Sequence, residues 1–78
     1  MATSDSKTSS KTSVAKVIEI SARSSTSFEA AIQGGIERAS QTMRGITSAW
    51  VKEQRVEIRD GKIASYQVNL MLTFTLED

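Results

Sequence analysis

Asp60 and Gly61 form a two-residue connection between two long strand-like segments, residues 48–59 and 62–76. Asp-Gly favours a type I′ turn, because both central residues of that turn take positive φ. A connection this short can join only neighbouring antiparallel strands. The sequence therefore predicts a long β-hairpin in the second half of the chain.

The last strand of this hairpin has one apolar and one polar face. The apolar positions are Tyr66, Val68, Leu70, Leu72, Phe74 and Leu76, and the alternate positions are Gln67, Asn69, Met71, Thr73 and Thr75. A two-residue turn pairs Arg59 with Lys62, and directly opposed residues share a face. Without a β-bulge, this register pairs Trp50 with Met71, Lys52 with Asn69 and Gln54 with Gln67.

Two further elements are predicted upstream of the hairpin. Residues 14–23 are rich in β-branched side chains and predict a first strand, with Ile18, Ile20 and Ala22 on one face. From Phe28 the apolar residues instead recur at helical spacing. The helical stripe consists of Phe28, Ile32, Gly35, Ile36, Ala39 and Met43.

The ends of this helix have recognisable signals. Thr26, with Glu29 three residues later, matches a capping box, and Ser24 is an alternative N-cap. Arg44 in the last turn and Gly45 just after it predict the C-terminal end.

Gly34 and Gly35 lie inside the predicted helix, where each costs about 1 kcal/mol relative to alanine. A compensating reason is the close approach of another backbone, which a helix packed on a sheet provides. The fold class that follows is α+β, with the order β-α-β-β and a three-stranded antiparallel sheet packed on one helix.

The face of the sheet opposite the helix, here called the far face, is predicted to carry Trp50, Gln54, Gln67 and Met71. Three interpretations are open. The far face is a solvated surface with one isolated tryptophan, or a contact between subunits, or a platform on which the indole stacks against a ligand that amide side chains orient. The second and third are compatible if the ligand site lies between subunits.

Size favours assembly. Residues 1–13 contain eight Ser/Thr residues and predict a disordered tail, which leaves residues 14–78 as one domain. A domain of this length is marginal alone unless it is cross-linked or oligomeric. The chain has no cysteine for a disulfide, and neither cysteine nor histidine for a zinc site. We therefore predict an assembly of identical copies.

Several functions are disfavoured. A net charge of +1 argues against nucleic-acid binding, and no apolar run is long enough for a membrane span. The absence of a secretory signal makes the cytoplasm the expected location. Without histidine or cysteine, catalysis lacks its commonest base and nucleophile. Glu53 and Glu57 stand four residues apart on a strand, too distant to share a proton, although with Glu19 they could bind a Ca²⁺ or Mg²⁺ ion in a symmetric assembly.

Three segments together carry a family resemblance. VIEI near the start, the helix AAIQGGIERASQTMR and the hairpin ending in DGKIASYQVNLMLTFTLED resemble the dodecin family over residues 14–78. The resemblance implies a homododecamer that forms a hollow shell. It also implies flavins (riboflavin, FMN or lumichrome) bound as stacked pairs at subunit contacts, for storage, sequestration or photoprotection without catalysis.

The resemblance also implies roles for individual residues. Gln67 matches the flavin-contacting glutamine, and Arg55 matches an arginine linked to phosphate-bearing ligands. Gln54 is a further candidate amide because of its predicted place on the far face. Ser48 stands where the family has its stacking tryptophan. Trp50 lies two residues later, about 7 Å along the strand.

Two outcomes therefore remain open. In the first, a bulge offsets the strand and Trp50 stacks on the flavin. In the second, the flavin site is altered or lost, and the dodecamer is a structural cage for ions or another ligand.

Overall fold

The computed structural model describes residues 12–76, which form one helix and three strands. Strand β1 spans Ala15–Ser24, helix α1 Phe28–Thr42, strand β2 Ile46–Arg59 and strand β3 Lys62–Thr75. The strands form one antiparallel sheet in the order β1-β3-β2. The predicted α+β class and β-α-β-β order are confirmed. Residues 1–11 of the predicted tail and residues 77–78 of the predicted domain lie outside the described residues.

The hairpin turn has the predicted conformation. Asp60 has a φ of 53° and Gly61 a φ of 76°. A positive φ at both central residues is the requirement of a type I′ turn. The turn therefore pairs Arg59 with Lys62, as expected.

The core lies between α1 and the apolar face of β3. Val68, Leu70 and Leu72 are buried on the central strand, and Ala31 and Ala39 are buried on the helix. The helix packs against β1 and β3. At one end of the core, Phe28 meets Tyr66 edge to face, with ring centroids 5.1 Å apart. The prediction that the helix covers the leucine-rich face is confirmed.

Both predicted helix ends are wrong, the N-cap by one residue for Thr26 or three for Ser24, and the C-terminal end by two residues. The N-cap is Ser27, whose Oγ accepts a hydrogen bond from the backbone N–H of Ala30 at 3.0 Å. The expected caps, Ser24 and Thr26, instead bond to each other through their hydroxyls at 2.8 Å. The helix ends at Thr42, since Met43 is already extended, so Arg44 and Gly45 lie beyond its last turn.

The two helix glycines differ in their surroundings. A Cβ built on Gly35 would lie 2.9 Å from the Cβ of Ala22 on β1, whereas one built on Gly34 would meet nothing within 4 Å. Close approach to the sheet thus explains Gly35 only. Gly34 carries the propensity cost of glycine without a packing reason in the described chain.

We predict opposite effects for Gly34→Ala and Gly35→Ala. The first should raise the free energy of unfolding by up to about 1 kcal/mol through helix propensity. The second should lower it by about 1–3 kcal/mol, because the added methyl group forces α1 away from Ala22. Urea denaturation at a fixed protomer concentration measures both. Changes of the same sign in the two variants would contradict this account of the packing.

The register of the hairpin departs from the prediction in its middle. Ala64 has no partner on β2, so residues 53–57 pair one step out of the expected register. Lys52 in turn has no partner on β3, and this second offset cancels the first. The pairing of Trp50 with Met71 is therefore confirmed, whereas the predicted partners of Lys52 and Gln54 are wrong. A third offset, at Thr47, lies near the start of β2.

Candidate functional site

The far face is formed by residues that alternate with the buried positions of β3, together with their partners on both neighbouring strands. Its members include Glu19 and Arg23 on β1, Ser48, Trp50, Glu53 and Arg55 on β2, and Gln67, Asn69 and Met71 on β3. Among residues 12–76, the helix lies on the opposite side of the sheet. This face is thus available for a ligand or for another copy of the chain.

The offsets in the hairpin decide which predicted residues share the far face. Glu53 pairs with Asn69, Arg55 pairs with Gln67, and Gln54 pairs with the buried Val68. Gln54 therefore lies on the helix side of the sheet, contrary to the prediction. Its neighbour Arg55 is instead brought beside Gln67. Residues 52–55 are all polar or charged, so the sequence pattern does not show which of them face the helix.

Trp50 is the largest apolar side chain on the far face, and 52% of its surface is exposed. Its cross-strand neighbour is the half-buried Met71, and Ser48 lies two residues earlier on β2, on the same face. The indole therefore presents an open aromatic surface beside a flexible thioether. This combination suits the stacking of a planar ligand or contact with a second aromatic ring.

Gln67 lies in the middle of the sheet and uses both atoms of its amide. Its Oε1 accepts a hydrogen bond from Nη2 of Arg23 at 3.2 Å, and its Nε2 donates to Oδ1 of Asn69 at 3.3 Å. Asn69 in turn donates from Nδ2 to Oε2 of Glu19 at 3.0 Å. The polar groups of the far face thus form one continuous network, which sequence reasoning did not predict.

The acidic end of this network is Glu19. Two hydrogen bonds, first from Asn69 and second from Lys52, hold the pKa of its carboxyl below the ordinary value of 4.5. Nζ of Lys52 lies 3.2 Å from Oε1 of Glu19. Lys52 is the residue of β2 that has no partner on β3. The β-bulge that restores the register of β2 therefore also provides the cation that contacts Glu19 on β1.

We predict that Asn69→Ala raises the pKa of Glu19 towards its ordinary value. Because the folded-state pKa lies below the unfolded one, the bonds to Glu19 stabilise the fold above the unfolded pKa and are lost as pH falls through the folded pKa. A pH titration of the Glu19 carboxyl by NMR gives the value in each protein. Gln33→Ala, which removes an amide on the helix, should leave it unchanged. Identical Glu19 titrations in wild type and Asn69→Ala would disprove the role of Asn69.

Trp50 and Gln67 are separated along the sheet. Trp50 pairs with Met71, which lies four residues from Gln67 on β3. Four residues correspond to about 13 Å at roughly 3.3 Å per residue. Within one chain, a ligand stacked flat on the indole therefore does not automatically reach the amide. A site that uses both groups in close contact needs either a long ligand or residues from two copies.

Other kinds of site have less support in the described chain. No group of three acidic or other metal-binding side chains converges within residues 12–76. No helix there is long and apolar enough to cross a membrane. A groove of about 720 Å³ lies between α1 and β1, but small residues such as Ala30 and Gly34 line it, and of the far-face network it includes only Arg23.

Comparison with known proteins gives consistent matches. The family model Dodecin matches residues 14–77. Dodecin from Thermus thermophilus is 38% identical over 65 residues, which cover 83% of this chain and 94% of that protein. The structure of dodecin from Streptomyces coelicolor aligns with a TM-score of 0.79 at 34% identity, covering 86% of this chain and 96% of the other. Calcium dodecin from Mycobacterium tuberculosis, a calcium-chelating antigen with a calcium-binding site, aligns with a TM-score of 0.70 at 35% identity, covering 82% and 91%.

Proposed function

Since the chain belongs to the dodecin family, we propose that it forms a homododecamer that binds flavin, riboflavin or FMN, at contacts between its subunits. Binding serves storage, sequestration or photoprotection in the cytoplasm, and the protein catalyses no reaction. The observation that carries this proposal is the half-exposed indole of Trp50 on a sheet face that α1 leaves uncovered.

Trp50 takes the stacking role. It lies on the same face as Ser48, where the family resemblance places the stacking tryptophan, but two residues closer to Gln67 along the sheet. No offset in the register separates Ser48 from Trp50, so the ring is displaced by about 7 Å along β2 rather than turned to the other face. The indole then meets a flavin that lies nearer the centre of the sheet.

Gln67 and Arg55 supply the polar contacts. The amide of Gln67 keeps one hydrogen on Nε2 and one acceptor position on Oε1 beyond its bonds to Asn69 and Arg23. Arg55, paired across the strands with Gln67, bonds to Glu53 at 3.0 Å through one guanidinium nitrogen. Its remaining donors suit the phosphate of FMN. Gln54, on the other side of the sheet, has no place in this site.

Assembly completes the site. The separation of about 13 Å between Trp50 and Gln67 means that a compact flavin site takes its aromatic surface and its amide from different copies. A subunit contact also removes water from the indole, which strengthens stacking and hydrogen bonding. The same contact stabilises a chain that is too short to be more than marginally stable as a monomer.

The test is to add the protein to riboflavin and, separately, to FMN and to follow flavin fluorescence. Stacking on Trp50 should quench the emission at micromolar protein, through electron transfer from the indole. FMN should bind more tightly than riboflavin if Arg55 contacts the phosphate, and Arg55→Ala should remove that preference. Unchanged emission of both flavins at saturating protein would refute flavin binding.

A dodecameric cage that holds ions is the competing function. It is favoured by the calcium-chelating relative from Mycobacterium tuberculosis. Against it, the carboxylate of Glu19 already accepts hydrogen bonds from Lys52 and Asn69, and that of Glu53 pairs with Arg55, so these contacts compete with a bound ion. This alternative predicts a colourless assembly between 350 and 500 nm that retains calcium after dialysis and does not quench flavin.

A further inference from the structure

The hydrogen-bond network of the far face has a defined direction. Arg23 can only donate, and the ionised carboxylate of Glu19 can only accept. Between them, the amides of Gln67 and Asn69 each accept on one side and donate on the other, at 3.2, 3.3 and 3.0 Å from Arg23 to Glu19. Lys52, another pure donor, closes the network on Glu19.

Fixed ends determine the orientation of the amides between them. A side-chain amide alone can flip, exchanging its oxygen and nitrogen at little cost. A flip of Gln67 would point Nε2 at the Arg23 guanidinium and Oε1 at the Asn69 oxygen, and both hydrogen bonds would be lost. At about fivefold per bond in the equilibrium, the observed orientation is favoured by about 25-fold.

We propose that Arg23 and Asn69 are positioning residues, which hold the Gln67 amide in one orientation so that its free N–H and free acceptor position recognise an imide edge of the ligand. This inference rests on the proposed function of the far face as a flavin site. An imide edge places an N–H between two carbonyls, and the pyrimidine ring of a flavin has one. A ligand with a methyl group in place of that hydrogen cannot donate to Oε1 of Gln67.

The orientation of Gln67 therefore determines specificity more than overall affinity. Stacking on Trp50 does not distinguish riboflavin from 3-methylriboflavin, since both present the same ring face. A fixed acceptor at Oε1 does distinguish them, because only riboflavin satisfies it. If Gln67 can flip freely, its Nε2 can donate to a carbonyl of either ligand. The preference for riboflavin over 3-methylriboflavin then falls.

The test compares the Kd of riboflavin with that of 3-methylriboflavin by fluorescence titration of the assembled protein. We expect wild type to prefer riboflavin by about tenfold. Arg23→Ala should reduce the preference to about twofold or less, and Arg23→Lys, which restores a pure donor, should recover it. Arg59→Ala is the charge-matched control, because the hairpin end lies away from the network, and it should keep the wild-type ratio. An unchanged ratio in Arg23→Ala would overturn the positioning role.

A second readout needs no ligand. In the wild-type assembly, the Nε2 hydrogen of Gln67 that bonds to Asn69 should exchange with solvent more slowly than the other Nε2 hydrogen, as measured by NMR. Arg23→Ala should remove this protection, because the amide then turns freely, and Arg59→Ala should keep it. If the wild type binds neither flavin, the proposed function fails, while this measurement still decides whether Arg23 orients the amide. Unaltered exchange of the Gln67 amide in Arg23→Ala would refute the inference whatever the flavin result.

Discussion

Replacement of Leu70 by alanine is expected to lower the free energy of unfolding by about 2–5 kcal/mol, a large part of the stability of so small a domain. Only 1% of Leu70 is exposed, and it lies on the central strand directly under the helix, where its Cδ1 would be 3.4 Å from a Cβ at Gly35. The contact with the helix cannot close over the missing atoms, since Gly35 already holds α1 against Ala22. Urea denaturation at one protomer concentration measures the loss.

Leu76→Ala is the matched control for Leu70. Leu76 is another leucine of the same alternating series, but it follows the end of β3 and 53% of it is exposed. Removing its side chain should change the free energy of unfolding by less than about 0.5 kcal/mol. Equal losses in the two variants would show that the core is not where the structure puts it.

Trp50→Ala is expected to abolish the quenching of flavin fluorescence and to weaken flavin binding by about 10- to 100-fold. Aromatic stacking on a planar base is worth about 1–3 kcal/mol, and an alanine provides neither the surface nor the electron donor. Fluorescence titration measures the quenching and calorimetry measures the affinity. Full quenching in Trp50→Ala would mean that another group holds the flavin.

Two control variants separate the contributions of Trp50. Trp50→Phe keeps an aromatic surface but a poorer electron donor, so it should bind flavin within about tenfold of wild type and quench it less. Val51→Ala removes an apolar side chain, 38% exposed, from the next position on the other face of β2. It should leave quenching unchanged. A loss of quenching in Val51→Ala would point to damage to the assembly instead of to the ligand contact.

The parts of the fold that the sequence predicted are those with strong local patterns. Asp60-Gly61 strongly favours the type I′ hairpin turn. The alternation of apolar and polar residues along β3 distinguishes its buried face from its polar face. Gly35 was correctly associated with close packing, whereas the adjacent Gly34 was not, because a glycine pair does not reveal which member faces the sheet. The N-cap was missed because Ser25, Thr26 and Ser27 are all capable caps in a row.

The register of the hairpin was less predictable because β2 carries polar residues on both faces. A strand without a clear apolar face specifies its register weakly. The run Lys52 to Arg55 is equally compatible with either face, so nothing in the pattern marks Lys52 or Ala64 as unpaired. The consequence for the site is direct, since the offset exchanges Gln54 for Arg55 beside Gln67.

The network from Arg23 to Glu19 was not predicted for a related reason. Its residues lie on β1 and β3, and their contacts depend on a pairing that brings positions 44 and 50 residues apart in the chain together. The family resemblance pointed to Gln67 but not to the residues that hydrogen-bond to it. Side-chain contacts of this kind need the register of all three strands.

Native mass spectrometry of the purified protein mixed with riboflavin tests the central claim most directly, because one spectrum reports both assembly and ligand. We predict a species of about 102 kDa, twelve times the 8.5 kDa chain, accompanied by peaks heavier by whole numbers of riboflavin molecules. A protein found only at the mass of one chain would contradict the assembly, and a dodecamer with no riboflavin-bound peaks would contradict the flavin site.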